Sequence, residues 1–327
     1  MKSYNKNESK EWAREFLTGQ WSTLVTPFDD RGEIDEQGLR FNIDYIKSLG
    51  SNGAGCSWGM GEFWSLSINE RKKLMDIVID QAKNWPVAAH VSHTSVSDII
   101  DLMSSAEKSG YELLVIGAPY FATRKPSQVI DFIKYISSKT DLAIMYYNSP
   151  QFGTILNSTE LAEIVKIENI VGVKEASFNK EISINSHLEL GQKAIISTPD
   201  EWIYWEGEKQ GFNQQVMFAN TSDWRFDTPE NNSYTKFVQM ASKGIIDNDL
   251  YELEIKDIKQ ISDKWWQKTV SEAGGVLPVA LCKYWGELVG MNSGGPRPPV
   301  HDLLSKDKQD LKIELANLEK LNISLYD

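Results

Sequence analysis

Short apolar runs recur along the chain, each followed by a polar turn and a segment whose apolar residues return every three or four positions. The runs Trp21–Thr26, Gly53–Trp58, Pro86–Val91, Leu113–Gly117, Leu142–Tyr147, Ile170–Lys174, Ala194–Ser197 and Gln215–Ala219 read as strands. Several are nearly continuous in apolar residues, as in Leu113-Leu114-Val115-Ile116. A strand apolar on both faces belongs to a parallel sheet covered on both sides.

The intervening segments read as helices. Glu36–Leu49 places Leu39, Ile43 and Ile46 on one face and stops at Gly50; Asn69–Lys83 repeats Leu74, Ile77, Val78 and Ala82. Ser97–Ser109 ends at Gly110, Ser127–Ser138 carries Val129, Ile133 and Ile136, and Ser158–Val165 opens on a serine cap. Eight strand-then-helix units in series, without a dinucleotide fingerprint or a reversal of strand order, predict an α/β chain folded as a (β/α)8 TIM barrel. After Asn220 the pattern turns helical, over Phe237–Lys243, Asp249–Lys268, Val276–Leu288 and Lys306–Leu321. An amphipathic stretch, Asn7–Leu17, precedes the first strand and is expected to cap the bottom of the barrel. The chain therefore divides into an N-terminal helical segment (1–19), a catalytic barrel (20–233) and a C-terminal helical bundle (234–327).

Composition narrows the function classes. With 41% hydrophobic and 24% charged residues the chain can bury a large core. A net charge of −12 argues against a nucleic-acid partner. The start, Met1-Lys2-Ser3-Tyr4-Asn5-Lys6, lacks the apolar core of a signal peptide, and no segment is apolar for long enough to span a bilayer. The reading is a cytoplasmic protein with no membrane partner. Cys56 and Cys282 lie far apart in apolar surroundings and read as buried free thiols.

In such a barrel the active site lies at the C-terminal ends of the strands. The polar residues there form a candidate set: Thr26, Ser57, His90, Tyr147, Lys174, Asp200 and Asn220. Lys174 ends the apolar strand Ile-Val-Gly-Val-Lys, where burial disfavours the charged form and a neutral amine attacks a ketone to give a Schiff base. A salt bridge with Glu175 or Glu62 is the competing reading. Tyr147 ends the preceding strand, so its phenol would neighbour Lys174 and can shuttle a proton. Tyr146 reads as core with a satisfied hydroxyl. His90 and His93 form a His-x-x-His pair without an evident third metal ligand; lining of the barrel mouth, with His90 toward substrate, is the plainer reading.

Several segments resemble the dihydrodipicolinate synthase and N-acetylneuraminate lyase family, in the family's order. They are Leu24-Val25-Thr26-Pro27-Phe28, the glycine-rich Gly53–Glu62 with Leu66-Ser67 and Glu70-Arg71, Ala118-Pro119-Tyr120-Phe121, Tyr147-Asn148-Ser149-Pro150, Gly172-Val173-Lys174-Glu175, and Gly294-Gly295-Pro296-Arg297-Pro298-Pro299. The resemblance implies a lyase or aldolase in which Lys174 forms an imine with a 2-oxo acid such as pyruvate and Tyr147 relays protons. It implies no metal or organic cofactor, and a homotetramer or homodimer.

The chain departs from the family pattern in three places. Gly59 and Met60 stand where the family has a hydroxyl pair for the substrate carboxylate, leaving backbone donors and Ser57 for that role. Gln151-Phe152-Gly153-Thr154 carries no arginine after the tyrosine motif, which argues against a synthase handling a second carboxylate. Phe121 replaces a tyrosine that synthases lend to a neighbouring subunit, while Tyr120 is expected to pack. Trp58, Trp64, Trp202, Trp205 and Trp224 fall near the expected mouth and read either as an apolar substrate lining or as core and interface filler. The substrate-binding set is thus Ser57, Gly59, Met60, Thr26, His90, Asp200 and Asn220. The leading expectation is a carbon–carbon or carbon–oxygen lyase. A 2-oxo sugar-acid dehydratase and a non-catalytic small-carboxylate-binding homologue are the alternatives.

Overall fold

The computed structural model describes residues 3–325; the first two residues of the polar start and the last two of the expected helical bundle lie outside the described residues. The strands are β1 (Gly19–Thr23), β2 (Gly53–Cys56), β3 (Val87–His90), β4 (Leu113–Gly117), β5 (Ala143–Asn148), β6 (Ile170–Glu175), β7 (Ile195–Ser197) and β8 (Val216–Asn220). They form one sheet in the order β7-β6-β5-β4-β3-β2-β1-β8. Chain neighbours are sheet neighbours, and β1 lies beside β8. This is the strand order of eight βα units in a barrel, as the pattern predicts.

The chain separates into two compact units, Met1–Trp21 with Pro86–Ala219 and Val238–Ile246, and Ser22–Trp85 with Asn220–Phe237 and Asp247–Asp327. In the first, β3 to β7 pair in parallel, and every residue of β4, β5 and β6 is buried. Register places Gly117 against Tyr147, Tyr147 against Lys174, and Lys174 against Ser197. In parallel strands paired residues project to the same face, so this row of register assembles the site.

The N-terminal helix, Ser9–Phe16, packs on β5 and β6 and is tied there by polar contacts. Lys10 Nζ donates to the Val165 carbonyl at 2.6 Å, and Ala143 N, opening β5, donates to Tyr4 Oη at 2.6 Å.

In the second unit the helix Glu36–Ser48 packs on Ile68–Ala82. The latter begins with a reciprocal cap: Glu70 N donates to Ser67 Oγ, and Ser67 N to Glu70 Oε2 at 2.8 Å. The C-terminal helix Lys256–Glu272 packs on both Val279–Leu288 and Ser305–Ala316, and Val279–Leu288 also packs on the short helix Ser222–Phe226.

Some boundaries differ from the sequence reading. β1 begins at Gly19 rather than Trp21, because Gly19 N pairs with the Gln215 carbonyl at 2.9 Å and Gln20, although polar, is fully buried. The helix at Ser158 is capped by Asn157, whose side chain accepts from Glu160 N at 3.0 Å, not by Ser158 itself. The expected helix 249–268 is interrupted by a π turn over Tyr251–Ile255, and 306–321 ends at Ala316 before a separate short turn. Both cysteines are buried, and neither is in a disulfide among the described residues. Among the described residues no helix is long and apolar enough to cross a membrane.

Candidate active site

Lys174 ends up inside the first unit with 4% of its surface exposed. Its Nζ donates to the carbonyls of Phe218, at 3.1 Å, and Ala219. Ala219 is in the left-handed region, with φ 54°, next to the end of β8. Burial is the cause that drives the Lys174 amine well below the usual lysine range. The two carboxylates considered as salt-bridge partners are engaged elsewhere. Glu175 accepts from Asn148 Nδ2 at 2.6 Å, Ser177 N at 3.0 Å, Ser177 Oγ, and Ser183 Oγ at 3.2 Å. In the second unit Glu62 Oε1 lies 2.6 Å from Lys283 Nζ, and both side chains are buried.

Tyr147 stands beside Lys174 as the strand pairing requires, with the ring centre 5.2 Å from Nζ. Burial pushes its phenol up to about 12, against a hydrogen bond with the Ser149 side chain that acts in the opposite direction. Burial therefore moves the amine down and the phenol up. Desolvation thus acts on both groups in the direction of their uncharged forms.

The tyrosine is held by a cluster that the sequence did not single out. Just past β5 the chain makes a tight turn, Pro150–Phe152, opened by Ser149 Oγ accepting from Gln151 N at 3.3 Å. That turn folds Phe152 back against Tyr147, with ring centres 5.2 Å apart in an edge-on arrangement. Phe152 lies over Gly117, where an added Cβ would come within 2.5 Å of the phenyl ring. His90, fully buried at the end of β3, meets Tyr147 and Phe152 with ring centres at 6.5 and 5.9 Å. Tyr120 packs on Phe152 at 6.2 Å. A glycine in register with a phenol, followed by an aromatic after a Pro-containing turn, was the readable signal.

The other candidates are placed as follows. His93 parts from His90: its Nδ1 accepts from Ser95 N at 3.0 Å and lies 3.4 Å from Asp98. Among the described residues no group of three or more His, Cys, Asp or Glu is arranged to hold a metal ion. Asp200 is half-buried in the turn before the helix Trp202–Gln210, where its carbonyl accepts from Ile203 N.

In the second unit Thr26 Oγ1 donates to the Gly61 carbonyl at 2.7 Å, which fastens the glycine-rich turn. Ser57 is buried in the left-handed region at φ 53°, and Met60, further along the same turn, is buried too. A Cβ at Gly59 would meet Leu277 at 2.5 Å. Asn220 Nδ2 donates to Tyr234 Oη at 2.7 Å.

Packing selects between the two readings of the tryptophans and corrects one expectation, the satisfied hydroxyl of Tyr146. Trp58 and Trp224 are 1% and 0% exposed, and Trp224 Nε1 donates to the Thr23 carbonyl at 3.1 Å, so both are core. Tyr146 is core as expected, but its buried hydroxyl meets no hydrogen-bond partner among the described residues.

Eight βα units that present a buried, charge-suppressed lysine beside a phenol define a class I aldolase or lyase fold. The chain belongs to the dihydrodipicolinate synthetase family, whose profile matches residues 17–317. Among curated relatives, the 4-hydroxy-tetrahydrodipicolinate synthase of Methanosphaera stadtmanae is 28% identical over 307 residues, covering 90% of this chain and 96% of that protein. That of Methanothrix thermoacetophila is 31% identical over 160 residues, 49% of this chain, and the match spans about half (54%) of that relative.

Solved structures share the fold at lower identity. YagE, a prophage protein of the dihydrodipicolinic acid synthase family from E. coli K12 in complex with pyruvate, superposes with a TM-score of 0.77 at 20% identity, over 93% of this chain and 99% of that one. Proteus mirabilis N-acetylneuraminate lyase gives 0.75 at 20% identity, over 94% and 99%.

Proposed function

We propose that the protein is a Schiff-base lyase or aldolase in which Lys174 forms an imine with a 2-oxo acid and Tyr147 moves the protons. The observation that carries the reading is the pair itself: a buried amine, 4% exposed, 5.2 Å from the ring centre of a buried phenol. A fold-sharing relative solved with pyruvate supports the substrate class.

The neutral amine of Lys174 adds to the keto carbon, and the carbinolamine loses its hydroxyl as water when the Tyr147 phenol protonates it. The imine draws electrons from the neighbouring carbon, whose proton leaves to give an enamine. That enamine attacks an aldehyde to form a carbon–carbon bond, or the reverse sequence breaks one. With a leaving hydroxyl on the next carbon, the same enamine expels water instead. Hydrolysis of the imine returns Lys174 and the product.

Thr26, Ser57, Gly59, Met60, His90, Asp200 and Asn220 are proposed as the substrate-binding set, with residues 234–327 as a helical appendage to the barrel. We further propose a homo-oligomer acting in the cytoplasm, which sedimentation and fractionation would check.

The test is borohydride trapping with pyruvate and a panel of 2-oxo acids, read by intact mass. One reduced adduct per chain is expected with at least one acid, lost in Lys174→Ala. An adduct that survives that substitution, or none with any acid, overturns the reading.

A further inference from the structure

Phe178 is placed where a phenylalanine gains nothing from the fold. Its φ of 61° lies in the left-handed region, which glycine adopts without strain and a bulky residue does not. It is 67% exposed, so burial does not offset that strain. Its ring meets no other ring and no cation among the described residues.

The backbone on either side is anchored. Ser177 N and Oγ both donate to Glu175, Asn179 N donates to Ser177 Oγ at 3.2 Å, and Asn179 Oδ1 caps the helix Lys180–Leu190 by accepting from Glu181 N and Ile182 N. The ring is thus held out by two fixed neighbours rather than by a slack loop. Strained side chains so over-determined by their surroundings concentrate at functional sites.

Position supplies the function. Phe178 follows β6 by three residues, at the strand end that carries Lys174. The nearby cation, Lys180, is turned onto the Trp202 ring, 5.0 Å from its centre. The surface that Phe178 offers is therefore planar and apolar, suited to stack on an aryl or conjugated group and unsuited to a second carboxylate.

We propose that Phe178 is a specificity-determining residue that stacks on a planar apolar substituent of the substrate, carried beyond the bond made or broken next to the Lys174 imine. The inference rests on the Schiff-base reading above, and its test separates the two. Wild type, Phe178→Gly and Phe178→Tyr are compared in borohydride trapping with pyruvate, and in kcat/KM for condensing pyruvate with benzaldehyde against glyceraldehyde. All three proteins are expected to trap pyruvate equally. Wild type favours benzaldehyde, Phe178→Gly lowers that preference by at least ~10-fold, consistent with losing one stacked ring, and Phe178→Tyr stays within ~2-fold. Phe178→Gly should also melt a few degrees higher, because the backbone strain is relieved.

Equal trapping with no wild-type preference for benzaldehyde, or with a preference that Phe178→Gly leaves unchanged, overturns the role of Phe178 alone. Absence of any wild-type adduct overturns the imine and this inference with it.

Discussion

Asn148 Nδ2 donates to Glu175 Oε2 at 2.6 Å, so the residue after Tyr147 is tied to the residue after Lys174. Asn148 also brackets Leu156, donating to its carbonyl at 2.9 Å and accepting from its N at 3.0 Å. One buried amide thus fixes the spacing of two strand ends and the start of the loop between them. Asn148→Ala would leave the Glu175 carboxyl and both Leu156 groups short of partners, at about 1–3 kcal/mol for the buried groups. The expected outcome is a lower melting temperature together with a lower kcat, since Tyr147 and Lys174 lose a shared brace. Thermal melts beside turnover measurements check it; unchanged values of both would show that the brace is redundant.

Tyr147→Phe keeps the ring that packs on Phe152 and removes only the hydroxyl. Pyruvate trapping by Lys174 is expected to become slower, because the carbinolamine loses the phenol that protonates its departing hydroxyl. It should still reach one adduct at long incubation, because burial lowers the amine pKa without help from the phenol. Turnover should fall by roughly 10²–10⁴-fold, the range for removal of a general acid or base. Single-turnover assays distinguish the steps. A variant that turns over normally would remove Tyr147 from the proton path.

Gly117→Ala places a methyl group 2.5 Å from the Phe152 ring. Overpacking of this kind costs about 1–3 kcal/mol. The penalty should shrink when Phe152→Ala is added, a coupling that a double-mutant cycle reads in denaturant midpoints. Additive effects would mean that Phe152 moves aside freely.

Asp227 gives the pH dependence a sign. Burial raises its carboxyl from 3.8 to about 7, against hydrogen bonds from Thr235 and Tyr234. Below 3.8 the group is protonated folded or unfolded. As pH rises from there toward 7 the unfolded chain loses its proton first, the folded protein holds more protons, and stability falls. The loss is complete above 7 and on the order of a few kcal/mol. Stability of Asp227→Asn relative to wild type should therefore climb between about pH 4 and 7 and level off beyond, as chemical denaturation at several pH values would show. A flat difference would mean that the hydrogen bonds keep the carboxylate ionised.

The strands were legible in sequence because a strand buried on both faces leaves an apolar run, and the lysine and tyrosine were legible because each interrupts such a run. The helix Lys180–Leu190 was harder to bound, since its inward residues are Ser183, Ser186, His187 and Leu190, and a mostly polar buried face has no hydrophobic period. Trp58 and Trp224 read either as lining or as core, because sequence position alone does not say to which side a ring turns. Phe178 escaped notice for a related reason: its backbone angle, not its neighbours in sequence, sets it apart.

In the second unit the glycine-rich turn is gripped from the far end of the chain. Lys283 Nζ reaches both Glu62 and the Gly295 carbonyl, and Arg297 N donates to Glu62 Oε2 at 2.9 Å while its guanidinium meets Glu70 at 2.6 Å. A turn braced this way can be retuned without touching it. With that turn in the proposed substrate-binding set, directed evolution of this protein has reason to search residues 283–297 as well as the surroundings of the lysine.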